Sequence, residues 1–544
     1  MTQFFNAKED IVQQAMDGLI SASGGRLTRL DGYPFIRVVV RGDWDKSKVA
    51  VISGGGSGHE PAHAGFVGEG MLSAAVCGDV FASPSVDAVL AAIVAVTGSA
   101  GCILIVKNYT GDRLNFGLAA ERARALGLKV NMVIVDDDVA LPGHAKARGV
   151  AGTLFVHKLA GEVSEVGGTL ADVTQAALRA QANVISVGMS LDTCRVPGSP
   201  KENRIPPGEL EVGLGIHGEP GARRIPFGGA RQAMNEAVAL LKPKMNQRKY
   251  AALLNNLGGT SALEMLVLTE ALLASPIGDQ ISHIVGPASM MTALDMHGFS
   301  VSLYPLTIED EMLLAEPTPL KAWPGLKPIV EPAVLPMPPV ITRQKHDPSD
   351  DPTVAGILNK CCASLVEAEA DLNALDAKVG DGDTGTTLAT AARALLARID
   401  QLPLANRANL LTAISSQLTQ TMGGSSGVLL AIFFAAAGDA AKKGHDIVSA
   451  LRAGLDRMQE IGGAKPGDRT MIDALHPALA RLNDGLGAAA LAARGGASAT
   501  AHMVKAEAGR ASYVGAGQLG GVTDPGAEAV ARLFESLASE MVEL

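Results

Sequence analysis

Aromatic residues are scarce in this chain: Phe, Tyr and Trp make up 3% of its 544 residues. The 47% hydrophobic share must then come mostly from Ala, Val, Leu and Ile, a composition suited to α/β layers and helix bundles. Cysteine is sparse as well. Cys77, Cys102, Cys194 and the neighbours Cys361 and Cys362 form an odd set without CxxC spacing, and they read as reduced, buried thiols of a cytoplasmic protein. No long basic run interrupts a net charge of −10, which argues against a nucleic-acid or anionic-membrane surface. Any phosphate would have to be met by local devices such as metal ions or helix N-termini. The opening MTQFFNAKED lacks a basic segment followed by an apolar one, so no signal peptide is expected. The apolar run 428–437 is too short to span a bilayer.

Glycine, by contrast, is abundant and clustered. At 53–61 the chain reads SGGGSGHEP, directly after an apolar run. It is neither GxxxxGK[ST] nor GxGxxG. It reads as a loop whose backbone approaches a small polar ligand closely, with His59 as a specific hydrogen-bonding group. Apolar strands are expected at 49–52, 102–106 and 130–135, with helical periodicity at 114–126 between the last two. This alternation indicates a mainly parallel sheet with helices on both faces and ligands at the carboxyl ends of its strands. The SGGGSGHEP and KNYTGD segments both fall there. A later unit repeats the pattern, with strand 184–189 leading toward GLGIHGEPG.

Length alone suggests roughly two to four domains. Between about 329 and 351 the texture becomes proline-rich, IVEPAVLPMPPVITRQKHDPSDD, which reads as a semi-rigid linker. The domain limits expected are 1–331, a linker at 332–351, and an all-helical domain at 352–544. In that second domain LDAKVGDGDTGTT brings Asp376, Asp381 and Asp383 together among glycines. Three carboxylates this close favour a divalent cation, and an oxygen-only set points to magnesium. MGGSSG at 422–427 puts Ser425 and Ser426 at a helix N-terminus, where phosphate is favoured. With GAKPGDRTMIDAL at 463–475 and DPGA at 524–527, these turns suggest a nucleoside triphosphate site.

Ten ordered stretches carry a resemblance along nearly the whole chain: SGGGSGHEP, CGDVFASPS at 77–85, IVKNYTGDRLNF at 105–116, GLGIHGEPG at 213–221, NNLGGTS at 255–261, LDAKVGDGDTGTT at 375–387, GGSSG at 423–427, GDRTMIDAL at 467–475, GRASY at 509–513 and DPGA. The sequence resembles the ATP-dependent dihydroxyacetone kinases that carry a K domain and an L domain in one polypeptide. The resemblance implies an α/β K domain that binds the ketone and a helical-barrel L domain that binds Mg-ATP. It also implies a cytoplasmic homodimer whose L domains are open to exchange between subunits.

On the same resemblance, His217 matches the histidine that bonds covalently to the ketone carbon as a hemiaminal. Gly56, His59, Lys107 and Asp112 match the positions that hydrogen-bond the triose, and Asp112 would accept the proton of the attacking hydroxyl. Asp376, Asp381 and Asp383 match the triad that holds two magnesium ions. Thr384, Gly385, Thr386, Thr387, Ser425, Ser426, Gly467, Arg469, Asp524, Pro525 and Gly526 match segments lining the nucleotide. Taken alone, His217 and Asp112 would read as turn residues, and His157 and His502 as structural or solvated. Two departures stand out: Thr384 where relatives commonly have Cys or His, and a shorter, proline-rich KENRIPPGELEVG at 201–213. The second leaves the ketose open among dihydroxyacetone, glyceraldehyde and erythrulose. A ketose sensor without kinase activity is the competing class, and the intact aspartate triad argues against it. A subunit fed by a phosphoenolpyruvate chain is disfavoured by the fusion of both domains.

Overall fold

The computed structural model describes residues 3–141, 147–247, 249–338 and 346–539. The chain divides into two compact units, Met1–Ala333 and Val334–Leu544. Part of the proline-rich linker, 339–345, lies outside the described residues.

The first unit holds two sheets. The first has the order β1-β2-β4-β3-β5-β6, from β1 (Leu27–Arg29), β2 (Val38–Arg41), β3 (Ala50–Ser57), β4 (Ala74–Val80), β5 (Cys102–Lys107) and β6 (Val130–Val135). Its β4, β3, β5 and β6 are parallel, and β1 and β2 add an antiparallel edge. The second takes the remaining strands, β7 (Ile185–Ser190), β8 (Glu209–Val212), β9 (Arg223–Pro226), β10 (Tyr250–Asn256), β11 (Ile281–Ala288), β12 (Gly298–Pro305) and β13 (Leu326–Pro328). Their order is β13-β11-β10-β12-β7-β8-β9, and only β10 and β11 run parallel. The α/β class expected from the sequence holds, with two sheets in place of one.

Eight helices accompany them among the described residues: α1 (Ile11–Ser21), α2 (Val86–Val96), α3 (Thr110–Ala125), α4 (Thr153–Glu165), α5 (Leu170–Asn183), α6 (Ala230–Leu241), α7 (Ala262–Leu273) and α8 (Ile308–Ala315). Side-chain alternation along the central strands assigns the layers. On β5, Leu104 and Val106 meet α2 and α3, whereas Ile103 and Ile105 meet α4. On β10, Ala251 and Leu253 face that same α4–α5 layer, and Ala252 and Leu254 face α6 and α7. The unit is therefore layered α/β/α/β/α. Strands buried on both faces read as unbroken apolar runs, as CILIV does on β5 before Lys107.

The second unit is helical: α9 (Pro352–Glu367), α10 (Glu369–Asp376), α11 (Thr384–Leu396), α12 (Arg407–Thr421), α13 (Gly424–Lys442), α14 (Ile447–Gly462), α15 (Ile472–Arg481), α16 (Leu486–Thr500), α17 (Ala516–Leu519) and α18 (Pro525–Ala538). Neighbour packing runs α9, α11, α12, α13, α14, α15, α16, α18 and back to α9, closing a barrel. Small side chains allow the close approach: Ala489, Ala493 and Ala497 of α16 share a core with Ala474 and Ala478 of α15. The 19-residue α13 is long and apolar enough to cross a membrane, because helix extends the 428–437 run at both ends. Its place, however, is one stave of this barrel, between α12 and α14.

Candidate active site

Three of the four glycines of SGGGSGHEP, Gly54, Gly55 and Gly56, belong to a strand and not to a loop: β3 continues through Ser57. The reason is steric. A Cβ on Gly54 would collide with the Val76 carbonyl of β4, and one on Gly56 would stand 2.7 Å from the Ala82 backbone nitrogen. The missing side chains let the 81–83 turn close over the carboxyl end of β3. Likewise the TGD of KNYTGD is the first turn of α3, so Asp112 sits on a helix and not in the loop expected.

These elements enclose a pocket of about 270 Å³ lined by Gly56, Phe81, Ser83, Tyr109, Asp112 and His217. That is below the range of drug-sized pockets, about 300–1,000 Å³, and suits a very small molecule. His217 is boxed by rings: Tyr109 at 4.4 Å, His59 at 4.8 Å and Phe81 at 5.3 Å between centroids. Glu219 holds it, with Oε2 accepting the His217 backbone N–H at 3.0 Å and Oε1 lying 3.2 Å from Nδ1. Burial pushes the Glu219 carboxyl up, but the bond and charge of His217 outweigh that and bring it to about 2. A carboxylate can only accept, so Nδ1 carries a proton, and in the neutral ring the lone pair is then on Nε2.

His59 and Lys107 stand behind this pocket and do not line it. The Nδ1–H of His59 donates to the Thr292 carbonyl at 2.8 Å, and its buried Nε2 has no partner. Burial, then the charges of His217 and Lys107, hold His59 well below the usual histidine range. The Lys107 ammonium lies beside Gly55 and 2.6 Å from His63 Nε2. Burial lowers it, against the opposing pull of Asp112 and Asp137. Asp112 Oδ1 and Tyr109 Oη are also buried without partners, unmet groups of the kind a bound polyol would satisfy.

In the helical unit, carboxylate oxygens of Asp376, Asp381 and Asp383 all lie within 4.8 Å of one another. Asp376 organises the loop, its Oδ2 accepting the N–H groups of Asp383 at 2.9 Å and Thr384 at 3.1 Å. An all-oxygen set of this size fits a hard divalent cation. The three aspartates open onto a cavity of about 1960 Å³ inside the barrel, also lined by Thr384, Thr387, Ser425, Ser426, Arg469 and the Asp524-Pro525-Gly526 turn. Gly385, Thr386 and Gly467 are not among its lining residues. Thr386 is engaged with Asn373, Gly467 N–H donates to Asp473 at 2.5 Å, and a Cβ on Gly385 would collide with the Glu369 carbonyl. Arg469 is the notable group: 1% exposed, with Nη2 donating to the Val522 carbonyl at 2.7 Å and Nε and Nη1 buried without partners.

Sequence reasoning did not single out Glu219, Tyr109, Ser83 or His63. A carboxylate two residues after a turn histidine was the available signal for the first.

Comparison with known proteins identifies the family. A Dak1 domain matches residues 17–322 and a DAK2 domain residues 378–539. A dihydroxyacetone kinase of Citrobacter freundii is 50% identical over 546 residues, covering 98% of both chains. The mouse triokinase/FMN cyclase is 39% identical, covering 98% of this chain and 97% of its own. Among solved structures, the C. freundii dihydroxyacetone kinase in complex with AMP-PNP and Mg²⁺ superposes with a TM-score of 0.68 at 48% identity, covering 99% of each chain. With a Dak1 and a DAK2 domain in one polypeptide and half its residues shared with such a kinase, the chain belongs to the dihydroxyacetone kinase family.

Proposed function

We propose that the protein is an ATP-dependent kinase for a primary hydroxyl of dihydroxyacetone, or of a close relative such as glyceraldehyde or erythrulose, with the substrate held on His217 as a covalent hemiaminal. The observation that carries the reading is the Glu219–His217 pair at the small pocket: with Nδ1 engaged, Nε2 is the nucleophilic nitrogen left for a carbonyl carbon. The Nε2 lone pair adds to the carbon and the C=O π pair moves to oxygen. The positive charge that the ring acquires is balanced by the Glu219 carboxylate, and the Lys107 ammonium gives the oxygen its proton. Asp112 then accepts the proton of the terminal hydroxyl as that oxygen attacks the γ-phosphorus of ATP and the bond to the β,γ-bridging oxygen breaks, releasing ADP.

Asp376, Asp381 and Asp383 would hold magnesium, read as two ions, and magnesium on the nucleotide supplies the charge neutralisation that phosphoryl transfer needs. Arg469, with two buried N–H positions unmet, and the N-terminus of α13 at Ser425 and Ser426 suit the phosphates. The reading assigns the ketone to 1–331 and Mg-ATP to 352–544, with 332–351 as the tether. It carries with it a cytoplasmic homodimer, with L domains open to exchange, which a mixed-dimer complementation assay would test.

A kinase assay across trioses and tetroses, with glycerol as control, tests the function. Glycerol has the terminal hydroxyls but no electrophilic carbon, so it is expected to be rejected. Phosphorylation of glycerol at rates like those of dihydroxyacetone would remove covalent capture. Binding of ketoses with no phosphorylation of any would leave the sensor.

A further inference from the structure

Behind the pocket floor a buried chain of polar groups leads to Lys107, and two of its members, Ser53 and His63, have no part in the reaction as described. Its outer end is fixed. The Ser53 hydroxyl donates to the Ile105 carbonyl at 2.7 Å, and a carbonyl only accepts, so Ser53 Oγ faces His63 Nδ1, 3.5 Å away, as an acceptor. Nδ1 therefore carries the ring proton, and Nε2 is left with the lone pair that meets the Lys107 ammonium at 2.6 Å.

Gly55 makes the meeting possible. A Cβ there would stand 2.8 Å from Lys107 Nζ, 3.5 Å from Asp112 Oδ2 and 3.9 Å from His63 Nε2. Three side chains from three elements, the end of β5, the first turn of α3 and the segment after β3, thus converge on one point beside a bare backbone carbon. His157 of α4 walls the cluster from below, its ring centroid 5.2 Å from that of His63.

We propose that His63 is a positioning residue of the ketone site: through Nε2 it fixes the Lys107 ammonium beside Gly55, and Ser53 sets the ring tautomer that lets it do so. The inference rests on the reading that Lys107 serves the bound ketone. An ammonium has three hydrogens. One is taken by His63, which leaves two for the Asp112 side of the site and the substrate oxygen. A protonated His63 would offer no lone pair and would set a second cation beside Lys107. Burial, followed by the charge of Lys107, holds His63 well below the usual range and brings His157 down to about 3. Burial lowers Lys107 as well, and the charges of Asp112 and Asp137 oppose that and favour its ammonium form.

The test uses the full-length protein carrying His63→Leu, His63→Gln, Lys107→Met and the double variant His63→Leu/Lys107→Met. Leu and Gln both approach histidine in size, but only the Gln amide oxygen can accept from Lys107. His63→Leu is expected to lower kcat/KM for dihydroxyacetone about 10- to 100-fold, the range for a lost hydrogen bond to a charged group, with KM for ATP unchanged. His63→Gln should restore most of it. The double variant should be no worse than Lys107→Met alone, because the two residues act as one unit. Equal losses in His63→Leu and His63→Gln, or additive losses in the double variant, would overturn the proposal. Full activity of Lys107→Met would overturn the role given to Lys107 itself, whereas an impaired Lys107→Met beside an unimpaired His63→Leu removes His63 alone. Should circular dichroism show His63→Leu unfolded, Ser53→Ala replaces it in the cycle, with non-additivity supporting the proposal and additivity overturning it.

Discussion

Glu219 grips His217 at two points, its backbone N–H at 3.0 Å and its Nδ1 at 3.2 Å. One carboxylate thereby fixes both the turn that carries the histidine and the ring nitrogen that stays protonated. Glu219→Ala should leave fold and KM for ATP unchanged while kcat/KM for the ketone falls about 10- to 100-fold. Steady-state kinetics with each substrate varied in turn checks this. A parallel rise in KM for ATP would argue against so local a role.

Neighbouring glycines in β3 should fail in different ways. A methyl on Gly54 runs into the Val76 backbone, which cannot move without opening the sheet, so Gly54→Ala should destabilise by about 1–3 kcal/mol. On Gly55 it meets the flexible end of Lys107, at 2.8 Å. Gly55 also has φ +153°, which an L side chain rarely adopts, so Gly55→Ala should lose ketone turnover as well as stability, whereas Gly54→Ala should lose stability alone, as thermal denaturation beside kinetics would show.

The aspartates of the acidic loop divide similarly. Asp381→Asn should abolish ATP turnover and the thermal shift caused by Mg-ATP while ketone binding persists. Asp376→Asn should do the same and also lower the melting temperature, because Asp376 Oδ2 accepts two backbone N–H groups of the loop. Leaving them poorly paired costs about 1–3 kcal/mol.

Asp137 gives a pH dependence with a definite sign. It joins the end of β6 to β7 and the start of α4, accepting from Val150 N–H at 2.8 Å, Gly152 N–H at 2.9 Å and the Ser186 hydroxyl at 2.5 Å. Burial raises its carboxyl to about 6, against an unfolded value of about 3.9. Between those values the folded state holds more protons than the unfolded one, so this group's contribution to stability falls as pH rises through the window. The destabilisation caused by Asp137→Asn should be largest below about pH 4 and smaller above about pH 6. Denaturant titrations on both sides of the window check it.

Much of this was legible in the sequence, and the exceptions have physical causes. Apolar runs such as CILIV marked buried strands, and Ala-rich helical periods marked the barrel. One sheet was expected where there are two, because β7, β10 and β12 are as apolar as the strands of the first sheet and differ from them only in direction. SGGGS reads as a loop because glycine is the usual loop residue, yet at Gly54 and Gly56 its use is close packing. Gly56, Asp112 and His217 line one pocket, while His59 and Lys107 fall behind it. Which buried group stands a layer back depends on contacts between distant segments, such as His59 with Thr292, that no local spacing reveals. Glu219 was overlooked although it lies two residues from His217, because acidic residues in glycine turns are common.

Covalent capture at His217 is the centre of the account, and carbon NMR on dihydroxyacetone labelled at its carbonyl carbon tests it most directly. With the native protein the signal should leave the ketone region for that of a tetrahedral carbon bonded to nitrogen and oxygen, with the broad line of a protein-bound species. His217→Ala, still folded and still binding Mg-ATP, should show only the free ketone and its hydrate. An active native protein whose bound substrate keeps a ketone signal would contradict the account.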